Sequence, residues 1–213
     1  MKIEKIQFPP EESCNTYFLS NERGEYIVID PGSNLNGRLD SFLDRRNAVV
    51  VAYLITHGHY DHISGLKENK HPASIYLSFE EDDFLVNSDL NLTSYLGGNP
   101  LVIDGLEKRF VSDGQEISLP SFPSFKVLQT PFHTIGSVCY YFPTEKALFS
   151  GDTLFHLGIG RTDLPTGSER TIVSSLRKFL SLPNETKVYP GHGPNTTLEN
   201  EFRYNPYFKG FFK

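Results

Sequence analysis

The stretch Val49-Val50-Val51-Ala52-Tyr53-Leu54-Ile55-Thr56-His57-Gly58-His59-Tyr60-Asp61-His62 runs from unbroken apolar side chains straight into a polar cluster. The run Val49–Ile55 has the continuous β-branched and aromatic character of a strand covered on both faces. It stops at Thr56, and four candidate metal ligands follow at once: His57, His59, Asp61 and His62. Neutral imidazole and carboxylate together suit zinc, iron or manganese. Gly58 allows a backbone turn tight enough to aim His57 and His59 at one cavity. Asp61 and His62 begin a short helix predicted over 61–68, facing the same cavity from another side. The alternative is a solvated histidine-rich turn, against which the position at the end of a buried strand argues.

Outward from this stretch, the apolar pattern predicts strands at Lys2–Phe8, Cys14–Leu19 and Tyr26–Asp30, with Glu22-Arg23-Gly24 as a turn. Leu35, Leu39, Phe42 and Leu43 recur at helical spacing within 34–46, with Asn34 as N-cap. Beyond the cluster, a strand is expected at Ile75–Leu77, a helix over 80–86 and a long polar loop over 87–100. Further strands are expected at Leu101–Ile103, Glu116–Leu119, Phe125–Gln129, Val138–Phe142, Ala147–Phe149 and Lys187–Tyr189. Ile172, Leu176 and Phe179 share one face of a helix predicted over 168–180, and residues 196–203 are expected to be helical. Two strand-rich halves, each carrying helices, suggest two packed sheets with helices outside, in a single domain spanning residues 1–213.

Three later segments repeat the motif of strand, small residues, ligand. They are Thr130-Pro131-Phe132-His133 after Phe125–Gln129, Ser150-Gly151-Asp152 after Ala147–Phe149, and Pro190-Gly191-His192 after Lys187–Tyr189. Each is weak alone, since a Gly-Asp after a strand is usually a turn. Together they supply the ligands that the first cluster lacks.

The formal net charge of −6 argues against nucleic acid or an anionic membrane as partner. No window offers the ~20 apolar residues that span a bilayer, and residues 1–12 do not read as a secretory signal. The two cysteines, Cys14 and Cys139, form no CxxC pair and read as buried, reduced thiols, so the expected location is cytoplasmic.

The four ligand segments, in this order, resemble the metallo-β-lactamase superfamily, and within it the compact glyoxalase II-like hydrolases. Val28-Ile29-Asp30-Pro31-Gly32, Gly160-Arg161-Thr162-Asp163-Leu164-Pro165 and Gly193-Pro194-Asn195-Thr196-Thr197 support the likeness, which runs from about Asn15 to Pro206. The resemblance implies an α/β (α+β) fold, a four-layer αββα sandwich with the site at one edge of the two sheets. It implies two divalent metal ions, zinc in the first instance with iron or manganese as alternatives. One would be held by His57, His59 and His133 and the other by Asp61, His62 and His192, with Asp152 bridging through its two oxygens. Such a pair shares a hydroxide that attacks a carbonyl carbon, so no Ser or Cys nucleophile is needed. Asp61 and Asp152 would then stand at the reacting centre, and Asp30 would support the ligands through hydrogen bonds, or alternatively form a turn before Pro31-Gly32.

The implied activity is hydrolysis of a small thioester, or a related ester, by a monomer or small homo-oligomer. Ending seven residues after Pro206, the chain is expected to lack the C-terminal helical domain with which larger glyoxalase II enzymes grip glutathione. The same motifs serve persulfide dioxygenases, which use one iron, and lactonases. A non-catalytic metal-binding module is the remaining reading, although a structural site is normally closed with four ligands. One departure stands out: the family motif has Gly before the histidine at 133, where this chain has Phe132, expected to reshape the turn or narrow the pocket. His71 and His156 fall outside the ligand positions. Arg161 would meet an anionic substrate or pair with Asp163, and Tyr60 would face either the site mouth or the core. The aromatic tail Phe202, Tyr204, Tyr207, Phe208, Phe211 and Phe212 is expected to pack on its own core, with cover over a subunit neighbour as the alternative.

Overall fold

In the computed structural model the run Val49–Leu54 becomes strand β4, and its neighbours define the first of two sheets. The structure describes residues 1–9, 13–67, 69–97 and 99–209, and divides into two compact units, Met1–Val111 and Ser112–Lys213.

In the first unit, β1 (Lys2–Gln7), β2 (Asn15–Ser20) and β3 (Glu25–Ile29) run antiparallel, with β4, β5 (Ile75–Ser78) and β6 (Lys108–Val111) continuing parallel from β3. The order β1-β2-β3-β4-β5-β6 follows the chain. The β2–β3 hairpin turns at Asn21, whose Oδ1 accepts from the backbone N–H of Arg23 and Glu25. Parallel β3 and β4 need a crossover, and α1 (Arg38–Asp44) supplies it, burying Leu39, Phe42 and Leu43 against Val28 and Tyr53. Alternation places Tyr26 and Val28 of β3 in this core while Ile27 and Ile29 are buried on the other face. The helix predicted over 34–46 is broken: Leu35–Gly37 is a 3-10 turn, Asn36 and Gly37 have φ of 57° and 67°, and α1 starts after them. Asn34 still caps it from beyond the kink, its Oδ1 accepting from the N–H of Leu39 and Asp40.

In the second unit the order is β14-β13-β10-β9-β8-β7. The strands are β7 (Glu116–Ile117), β8 (Phe125–Gln129), β9 (Val138–Phe142), β10 (Ala147–Gly151), β13 (Lys187–Pro190) and β14 (Thr196–Thr197). Only β10 and β13 pair in parallel. A small hairpin of β11 (Leu154–Phe155) and β12 (Gly158–Ile159) follows β10. α3 (Ile172–Arg177), flanked by 3-10 turns, and α4 (Leu198–Tyr204) bury Leu176, Phe179 and Leu198 on Cys139, Leu148 and Val188.

Several sequence expectations change. Leu101 and Ile103 are buried with Val102 exposed between them, but the segment is not a strand, because the N–H of Ile103 is given to the carbonyl of Leu85 rather than to a ladder. The strand at the sheet edge is instead β6, whose Lys-Arg-Phe pattern is exposed. Residues 79–85 form two 3-10 turns, Phe79–Glu81 and Asp83–Leu85, instead of one α-helix. Within 61–68 the helix α2 (Tyr60–Ile63) gives way to a 3-10 turn at Ser64–Leu66, and residue 68 lies outside the described residues. Of the tail, Phe208 is buried in the second unit's core and packs edge-on against Phe202, whereas Tyr204 and Tyr207 are exposed. Phe211 and Phe212 lie outside the described residues. Among the described residues no helix is long and apolar enough to cross a membrane.

The loop 87–100 is organised by Asn91. Its Nδ2 donates to the carbonyls of Phe84 (2.8 Å) and Leu101 (3.2 Å), while its Oδ1 accepts from the N–H and hydroxyl of Thr93. The side chain is fully buried, so its removal strands these groups away from water. Asn91→Ala is expected to lower the unfolding free energy by about 1–3 kcal/mol in urea denaturation, with an unchanged slope.

Candidate metal centre

The candidate ligands follow the carboxyl ends of strands: β4, beside β3, in the first unit, and β8, β10 and β13 in the second, where β10 and β13 are parallel neighbours. In the first unit β3 runs into Asp30 and β4 into Thr56 and His57, side by side in parallel register. Asp30 is buried, with a φ of 48° that turns its side chain toward β4. Its Oδ1 accepts from the backbone N–H of Thr56 (2.8 Å), and its Oδ2 accepts from the Thr56 hydroxyl (2.7 Å). The same Oδ2 lies 3.0 Å from Nδ1 of His62.

These contacts assign the imidazole protons. Thr56 gives its one hydroxyl proton to Asp30, so Nδ1 of His57, 3.2 Å from that hydroxyl, is the donor. His62 likewise donates through Nδ1 to a carboxylate. Both rings therefore present Nε2 as a lone pair. Nε2 of His57 lies 3.1 Å from Nδ1 of His59, and Nε2 of His62 lies 3.7 Å from Oδ2 of Asp61. Two tetrahedral ligands around zinc stand roughly 3.3 Å apart, given metal–ligand bonds of about 2.0–2.2 Å. The donor set and its spacing fit a divalent cation.

Gly58 sits against the 3-10 turns at 79–85. A Cβ there would collide with Cβ of Phe84 and lie 3.1 Å from Oε2 of Glu81. Glu81 is fully buried and accepts the Gly58 N–H at 2.7 Å. Cys14 is buried beside this half-site, and burial pushes its thiol up to about 12, the state of an inert neutral thiol. Neither cysteine forms a disulfide.

In the second unit His133 follows β8, Asp152 follows β10 and His192 follows β13. The N–H of Gly191 donates to the carbonyl of Gly151, fastening the last two turns together. Oδ2 of Asp152 lies 3.5 Å from Nε2 of His133 and 3.8 Å from Nε2 of His192, so one carboxylate stands between two imidazoles. Nδ1 of His133 faces the backbone carbonyl of Arg161 at 2.8 Å, which makes it the donor and turns Nε2 toward Asp152. Gly160 makes this approach possible: a Cβ would collide with the Asp152 carbonyl oxygen and sit 3.1 Å from Cγ of His133.

The other residues singled out in the sequence take ordinary roles. The Arg161 guanidinium grips Asp163 through two bonds of 2.5 and 2.6 Å and holds that carboxyl down to about 2. Phe132 is fully buried in the second unit's core, so it fills the interior rather than narrowing a pocket. Tyr60 packs on the first unit's core. His71 lies 3.1 Å from Asp44, and His156 is exposed near Thr196 and Asn200. Sequence reading missed Thr56, Glu81 and the Arg161 carbonyl. A backbone acceptor carries no side-chain signature, and Glu81 sits in an acidic run, Glu80-Glu81-Asp82-Asp83, that reads as a solvated face.

Residues 9–192 match the Metallo-beta-lactamase superfamily. The hydroxyacylglutathione hydrolase GloC of Haemophilus influenzae is 36% identical over 212 residues, covering 97% of this chain and 98% of that protein. Among solved structures, BLEG-1 B3 metallo-beta-lactamase superposes with a TM-score of 0.90 at 35% identity, covering 98% of this chain and all of that one (100%). TTHA1623, solved in a di-iron-bound form, gives a TM-score of 0.79 at 32% identity over 96% of this chain and 99% of its own. The chain therefore belongs to the metallo-beta-lactamase superfamily and has its fold.

Because His133 is held by a main-chain atom, substitutions at the neighbouring positions separate backbone from side chain. Gly160→Ala is expected to weaken metal binding by roughly 10–100-fold, while Arg161→Ala leaves it within about 2-fold, as read by competition against a chromogenic chelator.

Proposed function

We propose that the protein is a metal-dependent hydrolase of small thioesters or related esters, with two divalent ions at one centre. His57, His59 and His133 hold the first ion, Asp61, His62 and His192 the second, and Asp152 bridges them. The observation that carries this reading is the Asp152 carboxylate, flanked at 3.5 and 3.8 Å by Nε2 of His133 and His192. The same oxygen, Oδ2, faces both imidazoles, so this carboxylate stands where a ligand shared by two cations would. In this reading the two units form one domain, residues 1–213.

When bound, such a pair supplies a water nucleophile ionised near neutral pH and an electrophile for the substrate carbonyl. The chain's own work is orientation and exclusion. Asp30 and the Arg161 carbonyl fix the proton on Nδ1 of His62 and His133, which leaves Nε2 the unprotonated nitrogen. Thr56 does the same for His57. A thioester suits this centre because a thiolate leaves without strong protonation, and no protein nucleophile is needed. The hydroxyacylglutathione hydrolase relative supports the thioester class, and the di-iron relative supports iron beside zinc or manganese as the resident metal. The negative charge and reduced thiols support a cytoplasmic enzyme, monomeric or a small homo-oligomer, acting on small molecules rather than nucleic acid or membrane.

The test is native metal analysis of purified protein followed by turnover of S-lactoylglutathione and a small panel of thioesters and esters. Two metal equivalents are expected, with kcat/KM falling at least ~100-fold in Asp152→Asn. Wild-type turnover no higher than that of His59→Ala across the panel would overturn the hydrolase reading. So would a single iron per chain with oxygen consumption on a persulfide.

A further inference from the structure

We propose that Glu81 is a positioning residue that sets the affinity of the metal held through His57 and His59, separately from the metal held through Asp61 and His62. This rests on the two-metal reading above. A carboxylate with no exposed surface is costly to bury unless it is hydrogen-bonded. Glu81 spends Oε2 on the N–H of Gly58, the single residue between His57 and His59. On the same platform, Phe84 closes against Gly58, and its ring centroid lies 6.1 Å from that of His59. The turn that brings Nε2 of His57 to 3.1 Å from Nδ1 of His59 is thus clamped from outside the ligand motif.

His62 is fixed differently. Its Nδ1 bonds Asp30, and its place on α2 follows from the carbonyl of His59 accepting the His62 N–H. Neither of these contacts involves Glu81. Removing the Glu81 carboxylate therefore loosens the His57–Gly58–His59 turn and leaves the Asp30–His62 bond in place. Glutamine in its place retains a carbonyl oxygen at the same reach and can still accept from Gly58.

The experiment is cobalt(II) titration of the apo full-length protein, followed by visible absorption, for wild type, Glu81→Ala and Glu81→Gln, with thermal melting of each. Wild type is expected to bind two equivalents. Glu81→Ala should bind one with unchanged affinity and the other roughly 10–100-fold more weakly, with Glu81→Gln restoring most of the loss. Unchanged affinities in Glu81→Ala, or an equal fall at both sites, would overturn the proposal and leave Glu81 a purely structural group. If Glu81→Ala does not fold, Glu81→Asp, whose carboxylate is one methylene too short to keep the Gly58 bond, decides: a weakened first equivalent beside an intact second supports the proposal, and two unchanged or equally weakened ones overturn it. If wild type takes up one equivalent, the two-metal reading fails on its own. The affinity of that single ion in Glu81→Ala then still decides the role of Glu81, weakened in support and unchanged against.

Discussion

The carboxylate of Asp30 is the contact on which the candidate ligands of the first unit depend. It lies at the end of β3, buried, and binds three groups of the adjacent strand end and helix: the Thr56 N–H, the Thr56 hydroxyl and Nδ1 of His62. Its backbone is in the left-handed region, at a φ of 48°, which costs a non-glycine residue about 1 kcal/mol or more. That conformation persists because the chain around it is tied on every side. The Asp30 N–H is given to the carbonyl of Leu54, and its own carbonyl accepts from the hydroxyl of Thr16 at 2.8 Å. A turn-forming Asp before Pro-Gly and a supporting Asp for a ligand are thus the same residue. The turn is what aims the support.

His57, His62 and His133 engage Nδ1 with three different acceptors: a hydroxyl for His57, a carboxylate for His62 and a peptide carbonyl for His133. The tautomer is the same in each case, but the electron donation is not. A carboxylate on Nδ1 makes an imidazole a stronger base than a neutral acceptor does. His62 is therefore the most basic of the three toward a cation. Thr56 links the two nearest rings, because the hydroxyl that gives its proton to Asp30 also receives the proton of His57. Glu81 reaches the ligand turn by a different route, accepting the backbone N–H of Gly58.

Much of this was legible in the sequence, for physical reasons. Val49–Leu54 is central in its sheet, and Ala52, Tyr53 and Leu54 are buried as the apolar run predicts, whereas Val49 at the start of the strand is exposed. The ligand segments stood out because each follows such a run and is short enough for spacing to matter. What escaped was structure without a periodic side-chain signal. β6 is an edge strand with exposed Lys108, Arg109 and Phe110, and nothing in its pattern separates it from a loop. The helix expected over 80–86 has helical spacing, yet its segment breaks into two 3-10 turns around Asp82. Phe132 misleads in the opposite sense: a bulky residue beside a ligand suggests an altered pocket, but the backbone directs it into the core with Cys139 and Leu176.

In each unit the candidate ligands are held by supporting atoms that are buried or belong to the backbone. Gly160 is fixed by the close approach of the Asp152 carbonyl and His133, and Gly58 by Phe84. Arg161 contributes only its peptide oxygen to the ligand support, while its guanidinium is exposed and engaged with Asp163 in the same loop. The side chain at position 161 is free to change without disturbing the tautomer of His133. Ile135, two residues beyond His133, is half exposed, and its N–H is tied to the hydroxyl of Thr166. Position by position, the groups that hold the ligands are interior or main-chain, and the side chains open to solvent are decoupled from them. A ligand set supported in this way can stay in place while the exposed positions beside it change.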